Sequence, residues 1–184
     1  MKNWKVQLYI NIMPVLFLTA ISSCLNGTKP TESKIGIDSM ANNDLGFLQI
    51  EGDSVLIPDF EIEVRLSPNA EKKLKDDKET VIVSAMFSGI PKDTTSEDYQ
   101  GQIGIKNYNI ELTGQRIGQF TKIKFHRSIL DKLADNDIYL LINVYSGRRS
   151  TENNLLDCEI LEDKMSVIKG KKFILKGKLI GEDQ

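Results

Sequence analysis

The strongest β-strand pattern in the chain runs from Asp137 to Tyr145, and both of its faces are apolar. Such a strand lies in the middle of a sheet, where neighbouring layers cover it on both sides. Thr80–Phe87 has the same character, whereas Phe60–Leu66 alternates strictly between apolar and charged residues. Turn signals separate these short segments, and no long amphipathic helix is present to cover a parallel sheet. The sequence therefore predicts an all-β fold, a two-layer antiparallel sandwich of about seven or eight strands, immunoglobulin-like or transthyretin-like, with one or two short helices.

The remaining segments complete this pattern. Ser67 followed by Pro68 predicts an N-terminal cap and a short helix over Pro68–Lys75, and one or two helical turns are expected at 128–134. A change of apolar parity predicts a β-bulge near Lys106–Asn107. Further strands are predicted at Gln102–Leu112, Gln119–His126, Leu155–Leu161 and Lys172–Ile180, with a short piece at Met165–Ile168.

The first residues have the organisation of a secretory signal. Lys2 and Lys5 precede an apolar stretch from Val6 to Ile21, and two serines then lead to Cys24. This order of charged, apolar and small residues is typical of a signal peptide. The apolar stretch is too short and interrupted for a good membrane-spanning helix, which needs about 20 apolar residues. An ordinary signal peptide cut near Ser23, or an uncleaved helix, is the alternative to the interpretation that follows.

Residues Ile21-Ser22-Ser23-Cys24 resemble the lipobox of bacterial lipoproteins. The resemblance covers residues 1–24 and implies a diacylglyceryl thioether and an acylated amine on Cys24, with acyl chains of the palmitate type. Several such chains exceed what stable membrane anchoring requires. It further implies that Leu25, which is not aspartate, directs the protein to the outer membrane. We expect it to face the periplasm, with the cell surface as the alternative.

The chain accordingly divides into three parts. Residues 1–23 are the predicted signal peptide, 24–45 are the lipidated cysteine and a flexible tether, and 46–184 are the β-sandwich domain. The tether is polar and holds Gly, Pro, Thr, Ser, Asn and Lys. A flexible coil of some twenty residues spans about 25 Å on average.

Composition excludes several classes of function. The chain has 24 basic and 26 acidic side chains, a net charge of −2, and removal of Lys2 and Lys5 makes it more acidic. This balance does not fit a nucleic-acid-binding protein. His126 is the single histidine, so the usual zinc ligand sets cannot assemble, and it is expected to be solvated. No motif for a nucleotide, phosphate or serine-hydrolase site is present. We therefore predict no catalytic residue, no metal and no cofactor.

Carboxylates and the second cysteine give no clear site. Asp131, Asp135 and Asp137 lack the spacing of a known calcium loop, and turn formation explains the last two better. Cys158 remains after lipidation of Cys24. It lies between Asp157 and Glu159 and is expected to be a buried, inert thiol rather than a nucleophile.

Two loops are candidate surfaces for a partner. Adjacent Arg148 and Arg149 follow the central strand, and paired guanidinium N–H donors suit carboxylates or phosphates. Tyr99, in the acidic loop from Pro91 to Gly101, offers an amphipathic contact. Solvated loops without a partner are the alternative for both.

These features predict a non-enzymatic, outer-membrane-anchored binding or assembly module of the cell envelope. Its expected partners are the membrane, through the lipid on Cys24, and an envelope protein, in an unknown oligomeric state. Small type VI secretion lipoproteins resemble this plan of lipidated cysteine, tether and sandwich, which implies a role in a secretion or envelope complex. The alternative is a lipoprotein that binds a small glycan or lipid in a concave apolar pocket. A glycan-acting enzyme that uses two carboxylates is the least favoured function.

Overall fold

Eleven short β-strands, two short α-helices and one 3₁₀ helix are formed by residues 46–95 and 101–182, which are the residues described by the computed structural model. The predicted signal peptide, Cys24 and the predicted tether, and also Tyr99, lie outside the described residues. The strands are β1 (Gln49–Glu51), β2 (Ser54–Leu56), β3 (Phe60–Leu66), β4 (Val81–Gly89), β5 (Ile103–Leu112), β6 (Ile117–Phe120), β7 (Lys124–His126), β8 (Tyr139–Ser146), β9 (Leu156–Cys158), β10 (Leu161–Lys164) and β11 (Lys172–Leu179). The helices are α1 (Pro68–Asp76), the 3₁₀ helix (Arg127–Lys132) and α2 (Met165–Ile168).

The strands form two four-stranded sheets and one three-stranded sheet. Their orders are β10-β8-β4-β5, β6-β3-β11-β9 and β1-β2-β7. β4 and β8 are interior strands of the first sheet, as their two apolar faces predict. The predicted all-β sandwich is confirmed.

The core lies between the two four-stranded sheets. The ring of Phe60 on β3 contacts the ring of Phe87 on β4 edge-on, with centroids 6.4 Å apart. On its other side Phe60 stacks on Phe120 of β6 at 4.7 Å. Buried residues of all three sheets belong to one apolar cluster, which extends from Leu48 to Leu175. All residues of this cluster belong to one compact unit, residues 41–184.

One pair of neighbouring strands is parallel. β3 and β11 run in the same direction, with Ile62 opposite Phe173 and Val64 opposite Leu175. Parallel neighbours need a long connection, and here the connection includes the whole of the other four-stranded sheet. Every other strand pair within the described ranges is antiparallel.

The strands outnumber the predicted seven or eight because β1 and β2 have no predicted counterpart and because two predicted segments are divided between sheets. Gln119–His126 contributes to β6 and β7, and Lys122 between them has a left-handed φ of 54° that breaks the extended backbone. Leu155–Leu161 contributes β9 to one sheet and Leu161 itself starts β10 of the other. The alternation of side chains does not reveal such a change of sheet.

The short helices agree with the sequence except at one place. Ser67 caps α1, and its hydroxyl oxygen accepts a hydrogen bond from the N–H of Ala70 at 3.1 Å. The 3₁₀ helix occupies most of the predicted helical turns. The predicted strand at Met165–Ile168 is wrong, because these residues form α2 and bury Met165 and Ile168 on one side. Four residues are too few for periodicity to separate a helix from a strand.

The predicted bulge is present and lies close to its expected position. Phe87 is opposite Lys106 and Ser88 is opposite Gly104, so the extra residue of β5 is Ile105. A bulge of this kind adds local twist to an edge strand.

Candidate functional site

The predicted arginine loop follows β8, and one of its arginines is already paired. The guanidinium of Arg149 donates two hydrogen bonds to the Glu111 carboxylate of β5, from Nε at 2.6 Å and from Nη2 at 2.8 Å. The hydrogen bond from Arg149, and then one from Thr80, hold the pKa of Glu111 below its usual value. Two of the five guanidinium donors are therefore engaged within the domain, and the expectation that Arg149 contacts a partner stays a prediction.

A buried carboxylate fixes the backbone of the same loop. Glu79, only 6 % exposed, accepts hydrogen bonds from the N–H groups of Arg149 and Ser150 at 2.9 and 2.8 Å. The Ser150 hydroxyl and the Thr80 N–H donate to it as well. Burial raises the pKa of Glu79, but these hydrogen bonds outweigh burial and lower it to about 2. Glu79 is thus a structural anion that holds the loop.

Arg148 remains at the surface of this loop. Its φ of 57° is left-handed, and its guanidinium carbon lies 5.8 Å from the centroid of the Tyr145 ring. Within residues 46–95 and 101–182, no carboxylate forms an ion pair with it. The expectation that it contacts a partner stays a prediction, and so does the expectation for Tyr99.

The single histidine has a local structural role. His126 is exposed at the start of the 3₁₀ helix, and its Nδ1 accepts the Ser128 N–H at 3.2 Å. The same nitrogen lies 2.8 Å from the Ser128 hydroxyl oxygen. These contacts make it the cap of that helix.

No group of three His, Cys, Asp or Glu side chains that could hold a metal ion occurs among the described residues. The Asp135 carboxylate accepts the Asp137 N–H at 3.0 Å, which is the turn that the sequence predicts there. Asp137 in turn pairs with Lys164 at 3.0 Å. Across the same ranges, none of the helices is long and apolar enough to cross a membrane.

Cys158 is only partly buried, unlike the expectation of a buried thiol. It lies opposite Gly177 of β11, where a side chain would clash with its sulfur. Burial, followed by the charges of Asp157 and Glu159, raises its pKa to about 11. A thiol with this pKa is a poor nucleophile at neutral pH, which agrees with the expected lack of reactivity.

A cleft of about 420 Å³ beside Cys158 contains two highly exposed apolar side chains. Ile160 is 62 % exposed and Ile180 is 60 % exposed, more than the other exposed large apolar residues described. We call this depression the Ile160 cleft. It is lined by Asn143, Val144, Asn154, Leu156, Asp157, Cys158, Ile160, Ile180 and Gly181.

The edges of both four-stranded sheets meet at the Ile160 cleft. β9 is the last strand of its sheet, and β10 pairs only with the first half of β8, residues Tyr139–Ile142. No strand pairs with this edge of β8 beyond Ile142 among the described residues. At the end of β8, the Asn154 side chain takes this place, and its Oδ1 accepts the Ser146 N–H at 2.9 Å. A segment that leaves one sheet at Cys158 and enters the other at Leu161 carries Ile160 outward.

Sequence reasoning missed this cleft. Alternation places Ile160 on the same face as Leu156 and Cys158, which suggests burial, whereas the chain changes sheets after Cys158. Ile180 lies just beyond the end of β11 and before Gly181. The position of the apolar Ile180 between a strand end and a glycine is the sequence signal that could have indicated an exposed apolar residue here.

The chain matches no family model, no curated protein and no solved structure in comparisons with known proteins.

Proposed function

We propose that the protein is a non-enzymatic binding module of the bacterial cell envelope, held at the outer membrane by lipid on Cys24, and that it binds another envelope protein at the Ile160 cleft. The observation that carries the binding role is the pair of isoleucines, each about 60 % exposed, beside the edge strands of both four-stranded sheets. The lipobox resemblance of Ile21–Cys24 supports the anchor.

The exposure of Ile160 and Ile180 favours a protein partner. An exposed apolar cluster next to a polar rim is characteristic of an interaction surface. Burying the remaining exposed area of each isoleucine would contribute about 1–2 kcal/mol. The polar rim of Asn143, Asn154 and Asp157 provides hydrogen-bonding groups around this apolar centre.

The edge strands suggest how such a partner binds. An extended segment can add to a sheet edge through main-chain hydrogen bonds while alternate side chains enter a pocket. Here, β9 is an edge strand beside the Ile160 cleft, and the Asn154 side chain bonds both the N–H and the carbonyl of Leu156. An added segment would therefore pair at Cys158 or replace Asn154. We therefore expect the partner to offer a short extended segment with an apolar side chain.

The proposed anchor and the binding surface act separately. The apolar cluster begins at Leu48, and residues 41–184 are a compact unit. Cys24→Ala is therefore expected to release the protein from the membrane without a change in its unfolding transition.

Site-specific photo-crosslinking in the native host tests the binding role. A photo-reactive amino acid is placed at position 160, at position 180, or at position 174 as the matched control, because Ile174 is also an exposed isoleucine but lies on the outer face of β11, away from the cleft. We expect positions 160 and 180 to capture the same envelope protein and position 174 not to capture it.

A second arm uses the variants Ile160→Glu and Ile174→Glu. We expect the first to weaken binding of the captured protein about tenfold or more, which corresponds to about 1.4 kcal/mol, and the second to leave it unchanged. Equal capture at all three positions, or no specific capture, contradicts the proposal.

A further inference from the structure

A second cleft, of about 570 Å³, lies where the described chain begins, and we call it the Phe47 cleft. It does not share a residue with the Ile160 cleft. Four structural segments enclose it, namely β1 with the residues before it, the end of β2, the 121–123 segment and the turn between α2 and β11. Its lining residues are Phe47, Gln49, Leu56, Ile57, Pro58, Asp59, Lys122, Lys169 and Gly170.

The walls of the Phe47 cleft are fixed by backbone hydrogen bonds. Ile57 N–H donates to the Ile123 carbonyl at 2.9 Å, and Gly170 N–H donates to the Asp59 carbonyl at 2.9 Å. The Lys122 N–H donates to Asp59 Oδ1 at 3.2 Å. The cleft therefore exists without a ligand, and its volume is within the range of small-molecule sites.

The chemistry of the cleft is amphipathic and cationic. Phe47, Leu56 and Ile57 form an apolar wall, whereas Lys122 and Lys169 bring two ammonium groups. The Lys169 ammonium nitrogen lies 5.5 Å from the centroid of the Phe47 ring. Neither lysine forms an ion pair with any carboxylate that the structure describes.

The excess of positive charge is confined to this cleft. A neighbouring depression shares Asp59 and Gly170 with it, and its further charged lining residues are Glu61, Lys171 and Lys172. Lys172 is neutralised by Glu61 and Glu63 at 3.0 and 2.8 Å. In the Phe47 cleft, by contrast, two lysines face one lining carboxylate. This cleft is therefore a locally positive region on a chain whose net charge is −2.

We propose that the Phe47 cleft binds a phosphate-bearing amphiphile, with the phosphate between the ammonium groups of Lys122 and Lys169 and the hydrocarbon against Phe47. A phosphomonoester carries close to two negative charges at neutral pH, which matches two ammonium groups. The apolar wall requires a hydrocarbon or other apolar portion beside the phosphate. This site is independent of protein binding at the Ile160 cleft and of the lipid on Cys24.

Asp59 makes the proposal sharply testable. Its carboxylate lines the same cleft and repels an anion, while its Oδ1 accepts the Lys122 N–H. Asparagine keeps an acceptor oxygen at this position and removes the charge. Asp59→Asn is therefore expected to strengthen binding, an effect that damage to the fold would not produce.

The test is calorimetric titration of residues 25–184, a chain that retains the whole compact unit, with octyl phosphate below its micelle concentration. We expect saturable binding that weakens about tenfold with Lys169→Gln or Lys122→Asn, as for the loss of a charge-assisted contact, and that tightens severalfold with Asp59→Asn. Lys132→Gln, an exposed lysine on the 3₁₀ helix outside both clefts, is the matched control and should bind like the unaltered chain.

Further arms identify the source of the phosphate. Binding to phosphatidylcholine vesicles that contain phosphatidic acid, but not to phosphatidylcholine alone, indicates a lipid headgroup. Binding of octyl phosphate without vesicle binding indicates a soluble phosphorylated ligand, and either outcome supports the site. Inorganic phosphate is expected to bind more weakly than octyl phosphate because it lacks the apolar portion.

Several results would overturn the proposal. These are no binding of octyl phosphate, equal weakening by Lys132→Gln and Lys169→Gln, or weaker binding by Asp59→Asn. Binding that occurs only with residues 41–184 would also overturn it, because the cleft would then be occupied by the segment of this chain that precedes residue 41.

Discussion

The Glu79 carboxylate accepts the backbone N–H of Arg149 at 2.9 Å, although the two residues lie 70 positions apart. This contact joins the start of β4 to the loop after β8 and orders the loop at its base. The same loop is tied to β5 by the Arg149–Glu111 pair. The two adjacent arginines are both exposed but differ in their contacts, since Arg149 pairs with Glu111 and Arg148 lies beside the Tyr145 ring.

Replacing Glu79 with glutamine is expected to destabilise the domain. The substitution removes the buried negative charge. It also puts an NH₂ group, which cannot accept a hydrogen bond, in place of one carboxylate oxygen, so that hydrogen bonds from the N–H groups of Arg149 and Ser150 are lost. We expect the free energy of unfolding to fall by about 2–4 kcal/mol. Urea denaturation at pH 7 measures it, with Glu162→Gln on exposed β10 as the control. Equal stability of the two variants would show that Glu79 does not fix the loop.

The contribution of Glu79 is expected to depend on pH in a defined direction. Its folded pKa of about 2 lies below the ordinary value of 4.5, so the folded state favours the ionised carboxylate. The resulting stability is fully present above pH 4.5 and is lost as pH falls towards 2. The stability difference between the unaltered chain and Glu79→Gln should therefore shrink over this interval. A difference that grows on acidification would contradict the assignment.

Gly147→Ala is expected to destabilise the protein through a steric clash. An added methyl group would lie 1.9 Å from Thr80 Oγ1 and 3.2 Å from Glu79 Oε1. Thr80 Oγ1 already donates to Glu111 at 2.7 Å, so its movement disrupts a second contact. We expect a loss of about 1–3 kcal/mol in urea denaturation. Gly104→Ala is the control, because nothing lies within 4 Å of its added methyl group, and it should be nearly neutral.

Cys158 is expected to react slowly with alkylating reagents in the folded state. Burial and the charges of Asp157 and Glu159 raise its pKa to about 11, so the thiolate is scarce at pH 8. Mass spectrometry of the rate of iodoacetamide addition to residues 25–184 should show a rate that still rises above pH 9. The urea-unfolded chain should instead reach its maximal rate near the ordinary thiol pKa, about 8.5. A plateau at pH 8 in the folded protein would contradict this prediction.

The sequence predicts the main strands well because their apolar patterns are long. The eight residues of β8 and nine of β4 carry enough side chains to define two covered faces. Ser67 and Pro68 likewise specify the start of α1 through local hydrogen bonding. These features depend on residues close together in the chain.

Features that depend on distant residues could not be predicted in the same way. Alternation cannot show that the chain changes sheets after Cys158, and this change is what exposes Ile160. Two adjacent arginines in the sequence also do not show that the Arg149 side chain pairs with Glu111 or that its backbone N–H donates to Glu79. The Phe47 cleft similarly joins Phe47, Lys122 and Lys169, which lie far apart in sequence.

The most direct test of the proposed function is mass spectrometry of the N-terminal peptide of the protein isolated from its native host. We predict a mature chain that begins at Cys24 and carries a diacylglyceryl group on the sulfur and an acyl chain on the amine. An unmodified Cys24 thiol, or a mature chain that begins at another residue, would contradict the proposal of a lipid-anchored envelope module.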